Sequence, residues 1–241
     1  MIEKTKGIIL RSFKYSDSSI IAHIYTEKFG RQSFIIKGIH SKKSETKINL
    51  FQPLYILDLI VYEKEDRNLQ HLKSAELSIP YDKIPYDIKR NTQVLFITEI
   101  LMKCLKEEES NPTLFDFLTQ SAIILDKKEE GISNFSVVFL FQLTRFLGIF
   151  PNYPQKGKNL YFDMESSSFC NVKPFHHNFM EGEITYSFCE LFQFGLTDME
   201  KLRFSNSIRV MLLSKLLTYY KLHLELTGEI KSLEVLKEIM R

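Results

Sequence analysis

Short apolar runs alternate with polar turns through the first 80 residues, and several of these runs have a period of two. β-Branched and aromatic residues in this pattern are typical of β-strands. The predicted strands cover residues 7–14, 20–26, 31–38, 54–63 and 68–77. Five short strands in a segment of this length favour a small closed barrel such as an OB-fold. Residues 38–49 are polar and lysine-rich without any period, and they predict a mobile loop.

The spacing of apolar residues changes after Pro80 and Pro85 to steps of three and four, which is the period of an amphipathic helix. Asn111 and Pro112 supply an N-cap and a first-turn proline for a second helix. A third helix, FSVVFLFQLTRFLG, is apolar nearly all round and is predicted to be the buried centre of a helical domain. Helices are predicted over 88–108, from 112, over 135–148, over 187–194, over 206–226 and after 232.

The fold class is therefore predicted to be α+β. Residues 1–80 are expected to form a five-stranded OB-fold barrel, and residues 81–241 a mainly α-helical domain. Within the second domain, residues 152–186 lack a period and are rich in aromatic residues. We expect an irregular or β insertion there, in the form of a small aromatic subdomain or a short hairpin.

The composition, with 44% apolar and 26% charged residues, is ordinary for a globular protein. No apolar run approaches the roughly 18 residues of a membrane span, and the short apolar stretch before Arg11 does not suit a secretory signal. The three cysteines are odd in number and widely spaced, so they predict no disulfide framework. We therefore expect a cytoplasmic protein that does not associate with membranes.

Positive charge is concentrated at the start of the chain. Residues 1–49 hold ten lysines and arginines against four acidic residues, a net charge of +6. Because the whole chain carries +2, residues 50–241 carry −4. A local excess of this size attracts polyanions, although a solvated basic face without a partner is the alternative explanation.

Motifs for catalysis are missing from the sequence. It contains no phosphate-binding G-x-x-x-x-G-K-[ST], no G-x-G-x-x-G, no H-E-x-x-H and no G-x-S-x-G. Asp163 and Glu165 fit one face of a short strand, but a second acidic pair for a two-metal nuclease is not nearby. The adjacent His176 and His177 are typical of solvent-exposed imidazoles. We predict a protein that is not an enzyme and that holds no cofactor and no metal.

Single-stranded nucleic acid is bound without sequence preference by cations that follow the phosphates and by rings that stack on bases. Strand parity directs both kinds of side chain away from the predicted barrel core. The predicted DNA-binding residues are Arg11, Lys14, His23, Tyr25, Arg31, Lys37, Lys42, Lys43 and Lys47. Core packing is the alternative for Tyr25 and for Phe13, which shares the parity of Arg11. Plain solubility is the alternative for the loop lysines.

Several short motifs occur in an order that resembles one protein family. They begin with TKGIILR, YSDSSII and YTEKFGR, followed by Lys37-Gly38 and Lys42-Lys43-Ser44. Further along come LFQPL, TEIL, FQLTRFLGIFP, YYKLHL and IKSL. This series is similar to the RecO family of bacterial DNA repair proteins over nearly the whole chain.

The resemblance implies an OB-fold joined to a helical domain and the activity of a recombination mediator. Such a protein binds single- and double-stranded DNA and anneals complementary strands. It acts with RecR and with the C-terminal tail of single-stranded-DNA-binding protein to load the RecA recombinase. The positions that match the family's DNA-facing residues are Arg11, Arg31, Lys37, Lys42 and Lys43.

One stretch departs from the family pattern. Many members carry a four-cysteine zinc module after the Gly-x-x-Pro motif, whereas this chain has NYPQKGKNLYF there and only Cys170 before Cys189. We predict that no zinc is bound and that the aromatic residues Tyr161, Phe162 and Phe169 pack together in its place.

Two alternatives to a DNA-binding mediator remain at this point. The first is an adaptor whose barrel binds an acidic protein tail without a direct role on DNA, and the second is the metal-dependent nuclease. For a protein tail we predict a site in the helical domain at Arg145, which brings a charge into the most apolar helix. A structural ion pair would explain Arg145 equally well.

Overall fold

A computed structural model describes residues 1–39, 47–63, 67–106, 109–154, 160–224 and 226–239. The chain divides into two compact units, Met1–Asp126 and Lys127–Arg241. The first unit contains the barrel and the first two helices, so the domain boundary after residue 80 stays a prediction. No helix in the described parts of the chain is long and apolar enough to cross a membrane.

In the first unit, five strands close into a barrel with the order β1-β2-β3-β5-β4. Neighbouring strands are antiparallel, except that β3 and β5 run parallel where they close the barrel. The strands are β1 (Ile2–Ser16), β2 (Ser19–Thr26), β3 (Gly30–Lys37), β4 (Ile56–Tyr62) and β5 (Gln70–Leu77). This arrangement confirms the predicted five-stranded OB-fold. The first strand begins five residues earlier than predicted, because residues 2–6 pair with β4.

Alternation along the strands fills the barrel as the sequence predicts. Ile20, Ala22 and Ile24 of β2 point inward, and so do Phe34 and Ile36 of β3. All five side chains are buried. Because successive residues of a strand face opposite sides, the intervening residues point away from the core.

Gly7 lies on β1 where two core side chains leave no room for a methyl group. A Cβ at this position would lie 2.5 Å from Leu59 Cδ1 and 2.6 Å from Ile24 Cγ2. We expect Gly7→Ala to lower the free energy of unfolding by about 1–3 kcal/mol, because overpacking forces neighbours out of their preferred rotamers. Urea denaturation followed by circular dichroism measures this change.

Gly195→Ala is the matched control for this substitution. No atom lies within 4 Å of a Cβ built at Gly195, so its stability should stay close to that of the parent protein. Equal stabilities for the two variants would show that the packing around Gly7 is looser than the structure indicates.

The two helices of the first unit start at side-chain caps. Helix α1 (Ile88–Cys104) is capped by Asp87, whose carboxylate accepts the backbone N–H groups of Lys89 and Arg90. Helix α2 (Pro112–Lys127) is capped by Asn111, whose Oδ1 accepts from the Leu114 N–H at 3.0 Å. The second cap confirms the prediction from the Asn-Pro pair. Helix α1 ends four residues before the predicted end at 108.

The segment between the barrel and α1 is held by one buried carboxylate. Asp126, at the end of α2, is fully buried. Its oxygens accept the backbone N–H groups of Asp82, Lys83 and Ile84 at 3.0, 2.8 and 3.0 Å. These bonds tie the segment to α2, since three adjacent donors share one side chain.

The second unit contains four helices and a small sheet in its described residues. The helices are α3 (Phe135–Leu143), α4 (Glu183–Glu190), α5 (Asn206–Leu224) and α6 (Ser232–Ile239). Helix α3 is buried at eight of its nine positions, which agrees with its predicted central place. The sheet has the order β7-β6-β8, with β6 (Tyr161–Asp163), β7 (Ser168–Cys170) and β8 (Phe179–Glu181). It lies within the segment predicted to hold a hairpin or an aromatic subdomain.

Candidate nucleic-acid interface

The outer face of β1, β2 and β3 carries a row of polar and cationic side chains. Arg11 on β1 lies opposite His23 on β2, and His23 lies opposite Ser33 on β3. Arg31 precedes Ser33 by two residues and so shares its face of the sheet. We call Arg11, Phe13, His23, Arg31 and Ser33 the basic sheet face.

Cations and rings lie side by side on this face. The ring centres of Phe13 and His23 are 5.7 Å apart, and the Arg11 guanidinium carbon lies 5.8 Å from the centre of the Phe13 ring. Arg11 is exposed and makes no ion pair with another described residue, while Phe13 is 40% exposed. The arrangement offers a free positive charge and an accessible aromatic surface next to each other.

His23 is held neutral by its surroundings. Burial, followed by the nearby charges of Arg31 and Arg11, lowers the pKa of the imidazole from its ordinary value. Its Nδ1 lies 2.9 Å from the Ser33 hydroxyl, which fixes the plane of the ring. At neutral pH His23 therefore supplies a planar, uncharged ring to this face, whereas the charge comes from the arginines.

Arg31 also forms a hydrogen bond to α1 within the first unit. It is partly buried, and its Nη1 donates a hydrogen bond to the carbonyl oxygen of Met102 at 3.1 Å. Met102 lies in the last turn of α1, where free carbonyl groups carry partial negative charge. Arg31 thus links the barrel to α1 and remains close to His23.

Tyr25 was predicted to face DNA, and the structure shows that this prediction is wrong. Its parity is as expected, but only 3% of the residue is exposed. The ring stacks on Phe115 of α2 with a centre-to-centre distance of 6.4 Å. Helix α2 covers this part of the barrel, so the alternative of core packing applies to Tyr25.

The remaining predicted cations lie outside this cluster. Lys14 is exposed and forms a 3.0 Å ion pair with Asp17, and an exposed pair of this kind contributes little stability. Lys37 and Lys47 are exposed at the end of β3 and before a short 3-10 helix, Ile48–Phe51. Lys42 and Lys43 lie outside the described residues.

Comparisons with known proteins identify the family. The model described as "Recombination protein O N terminal" matches residues 1–81, and "Recombination protein O C terminal" matches residues 85–234. The chain belongs to the RecO family. The DNA repair protein RecO of Phocaeicola vulgatus is 36% identical over 239 residues, and that of Bacteroides fragilis is 35% identical over 240, with 99% of both chains covered in each case. The RecO protein of Flavobacterium psychrophilum is 34% identical, with 98% of both chains covered.

Membership of the RecO family confirms the resemblance found in the sequence. It assigns the chain to DNA repair and recombination and fits a barrel followed by helices. The basic sheet face lies on the part of the chain that the N-terminal family model matches.

A zinc site like that of many RecO proteins does not fit the residues present here. Among the described residues, no three His, Cys, Asp or Glu side chains are grouped to hold a metal. Cys170 donates its thiol hydrogen to the Val172 carbonyl at 3.2 Å. Aromatic packing occupies this segment, since the Phe162 ring lies 4.9 Å from Phe169 and 4.6 Å from Phe188. Tyr161, which was predicted to join Phe162 and Phe169, instead packs against Phe179 at 5.9 Å.

Arg145 lies just beyond α3, which ends at Leu143, and not inside the helix as predicted. The residue is exposed, and its guanidinium carbon lies 4.1 Å above the centre of the Phe150 ring. Phe150 in turn packs against Phe192 and against Tyr153, which is 63% exposed. The contact that holds Arg145 is therefore a cation–π interaction with an accessible aromatic patch.

Sequence reasoning missed three side chains beside Lys37. Tyr62 on β4, Arg67 before β5 and His71 on β5 line the same groove as Lys37. Their positions depend on which strands pair, so parity within one strand could not group them. One feature of the sequence could have grouped them. Tyr62, Arg67 and His71 all lie in or near the turn between the fourth and fifth predicted strands.

Proposed function

We propose that this RecO-family protein is a DNA-binding recombination mediator. It binds single- and double-stranded DNA, anneals complementary strands, and helps to load a recombinase on DNA that is covered by single-stranded-DNA-binding protein. It acts by binding, without catalysing a reaction, and it works in the cytoplasm. The observation that supports this most directly is the exposed Arg11 beside the accessible ring of Phe13 on the outer face of the barrel.

The basic sheet face combines both features needed to bind a strand without reading its sequence. Arg11 and Arg31 attract the phosphates, and each phosphate contact steepens the logarithmic salt dependence by about 0.7 on single strands. Phe13 and the neutral ring of His23 offer surfaces on which bases stack, at about 1–3 kcal/mol for each base. Annealing requires such binding, because contacts to the backbone and to one face of a base leave its pairing edge free.

The proposed protein partners are RecR and the tail of single-stranded-DNA-binding protein. We propose that the tail binds at Arg145, Phe150 and Tyr153, which we call the Arg145 patch. Its guanidinium would pair with a carboxylate of the tail, and Phe150 and Tyr153 would contact an apolar side chain. The adaptor alternative instead places an acidic protein tail on the barrel and assigns no DNA contact to it. Measurement of DNA binding by the barrel face therefore separates the two functions.

Arg11→Ala tests the role of the basic sheet face in DNA binding and is expected to leave the fold unchanged. Arg11 is exposed, whereas Arg31→Ala would also remove the hydrogen bond to Met102. We expect binding of a labelled single-stranded oligonucleotide to weaken about fivefold at 0.1 M salt, with a salt slope less steep by about 0.7. Fluorescence anisotropy at several salt concentrations measures both quantities.

Lys89→Ala is the matched control, because it removes an exposed cation from α1 in the same unit. It should leave the affinity and the salt slope unchanged. Negligible binding by the parent protein at low salt would favour the adaptor function, and equal losses for both variants would argue against this face.

A further inference from the structure

A second cationic surface lies where β3 and β5 close the barrel. A groove of about 460 Å³ is lined there by Ile35, Lys37, Tyr62, Arg67, Gln70, His71 and Leu72. We call it the seam groove. Of these residues the sequence patterns singled out only Lys37, because the groove is assembled from three strands and one loop.

The groove exists because the closing strand pair is short. Strands β3 and β5 are paired at only two positions, Phe34 with Gln70 and Ile35 with His71. Strand β5 also has an irregularity in its pairing with β4, at Ile60 and Val61. Such bulges bend a strand and are common at barrel rims next to binding sites. The surface therefore opens beyond Ile35, towards Lys37.

Two cations and an exposed aromatic ring line the seam groove. The cations are Lys37 and Arg67, and none of the described residues that line the groove is acidic. Neither Lys37 nor Arg67 makes an ion pair with another described residue. Tyr62 is 40% exposed and lies directly opposite His71 in the β4–β5 register. Residues 64–66 lie outside the described part of the chain.

We propose that the seam groove binds one unpaired nucleotide of a DNA strand, with its base stacked on Tyr62 and its flanking phosphates held by Lys37 and Arg67. This inference rests on the proposed DNA-binding function and adds a single-strand-specific subsite to it. A ring in a groove can reach only an unpaired base, since the faces of bases in a duplex are already stacked. One exposed ring between two cations suits a base between its two flanking phosphates.

The seam groove and the basic sheet face lie along the same strand. Arg31, Ser33, Ile35 and Lys37 are alternate residues of β3 and share its outer face. From Arg31 to Lys37 the strand extends about 20 Å at 3.3 Å per residue. One strand of DNA can follow this row from the sheet face to the groove, and the resulting track is in the range of site sizes of single OB-folds, about 4–16 nucleotides.

A tryptophan at position 62 reports directly on the subsite, because the chain has no tryptophan of its own. In the full-length Tyr62→Trp variant we expect an unlabelled thymidine oligonucleotide to quench the indole fluorescence. The quenching should follow the same binding curve as the anisotropy of a labelled oligonucleotide. Normal binding by anisotropy with an unchanged indole signal would overturn the subsite alone. Absence of binding by both measurements would overturn the proposed function itself.

Tyr62→Ala provides the second test, with Tyr86→Ala as its control. Tyr86 is 86% exposed and lies before α1, outside both surfaces. Loss of one stacked base predicts about 5-fold to 150-fold weaker binding of single strands for Tyr62→Ala. Duplex binding by Tyr62→Ala, and both kinds of binding by Tyr86→Ala, should be unchanged. An equal loss on single strands and duplex would contradict a subsite for unpaired bases.

Discussion

Replacing Asp126 with alanine is expected to lower the free energy of unfolding by about 3–5 kcal/mol. The carboxylate is fully buried and accepts three backbone N–H groups, from Asp82, Lys83 and Ile84. Its removal leaves three donors without their acceptor, and each buried unpaired donor costs about 1–3 kcal/mol. Because typical domains are stable by only about 5–15 kcal/mol, this single change removes a large share of the margin. Urea denaturation followed by circular dichroism measures the loss.

Two further substitutions test the cause of this effect. Asp116→Ala removes an exposed carboxylate from the same helix and should change stability by no more than about 0.5 kcal/mol. Asp126→Asn keeps one acceptor oxygen for Lys83 and Ile84 but turns an N–H group towards the Asp82 N–H, so an intermediate loss is expected. If Asp126→Ala were as stable as Asp116→Ala, the three hydrogen bonds would not be holding the segment in solution.

Reversing the charge of Lys42 and Lys43 together, as Lys42→Glu with Lys43→Glu, is expected to weaken DNA binding by at least about 25-fold at 0.1 M salt. Both residues lie outside the described part of the chain, and the expectation rests on their charge. Loss of two phosphate contacts makes the single-strand salt slope less steep by about 1.4, and the introduced acids add repulsion. Oligonucleotide titrations at several salt concentrations measure the change, and strand annealing should slow with it.

A measurement of thermal stability distinguishes a loss of DNA contacts in this variant from a loss of folded protein. We expect the melting temperature of the double variant to match that of the parent protein, because the polar sequence of residues 38–49 predicts a surface loop and surface substitutions are usually within about 0.5 kcal/mol of neutral. Reversal of Lys89 together with Lys106, two exposed lysines on and just after α1, changes the net charge by the same amount and is the control. Unchanged DNA affinity in the Lys42/Lys43 variant would remove these two lysines from the interface, and an equal loss in the Lys89/Lys106 variant would attribute the effect to overall charge.

Local patterns predicted the elements of this protein well. The alternation of Ile20, Ala22 and Ile24 identified a strand and its buried face, because side chains of a strand alternate whatever it pairs with. The Asn111-Pro112 pair marked the start of α2, since a cap depends only on adjacent residues. The RecO-like motifs identified the family, and the matches over residues 1–81 and 85–234 confirmed it.

The candidate site was predicted only in part. Arg11 and His23 do lie side by side on the outer face, as their parity indicated. Tyr25 has the same parity as His23 and yet is buried, because α2 covers the barrel at that point. Parity gives the side of a sheet on which a residue lies, whereas exposure depends on what packs against that side.

The sequence by itself therefore determined the type and order of the main strands and helices but not all of their ends, the buried faces of the barrel strands, the concentration of positive charge near the start of the chain and the family. Only the tertiary structure decided that Tyr25 is covered, that Arg31 is bonded to α1, and that Tyr62 and His71 face each other beside Lys37. The physical reason is the distance along the chain between the residues that interact. Alternation and capping arise between residues a few positions apart, while coverage and strand pairing bring together residues far apart in the chain, and no local pattern records their partners.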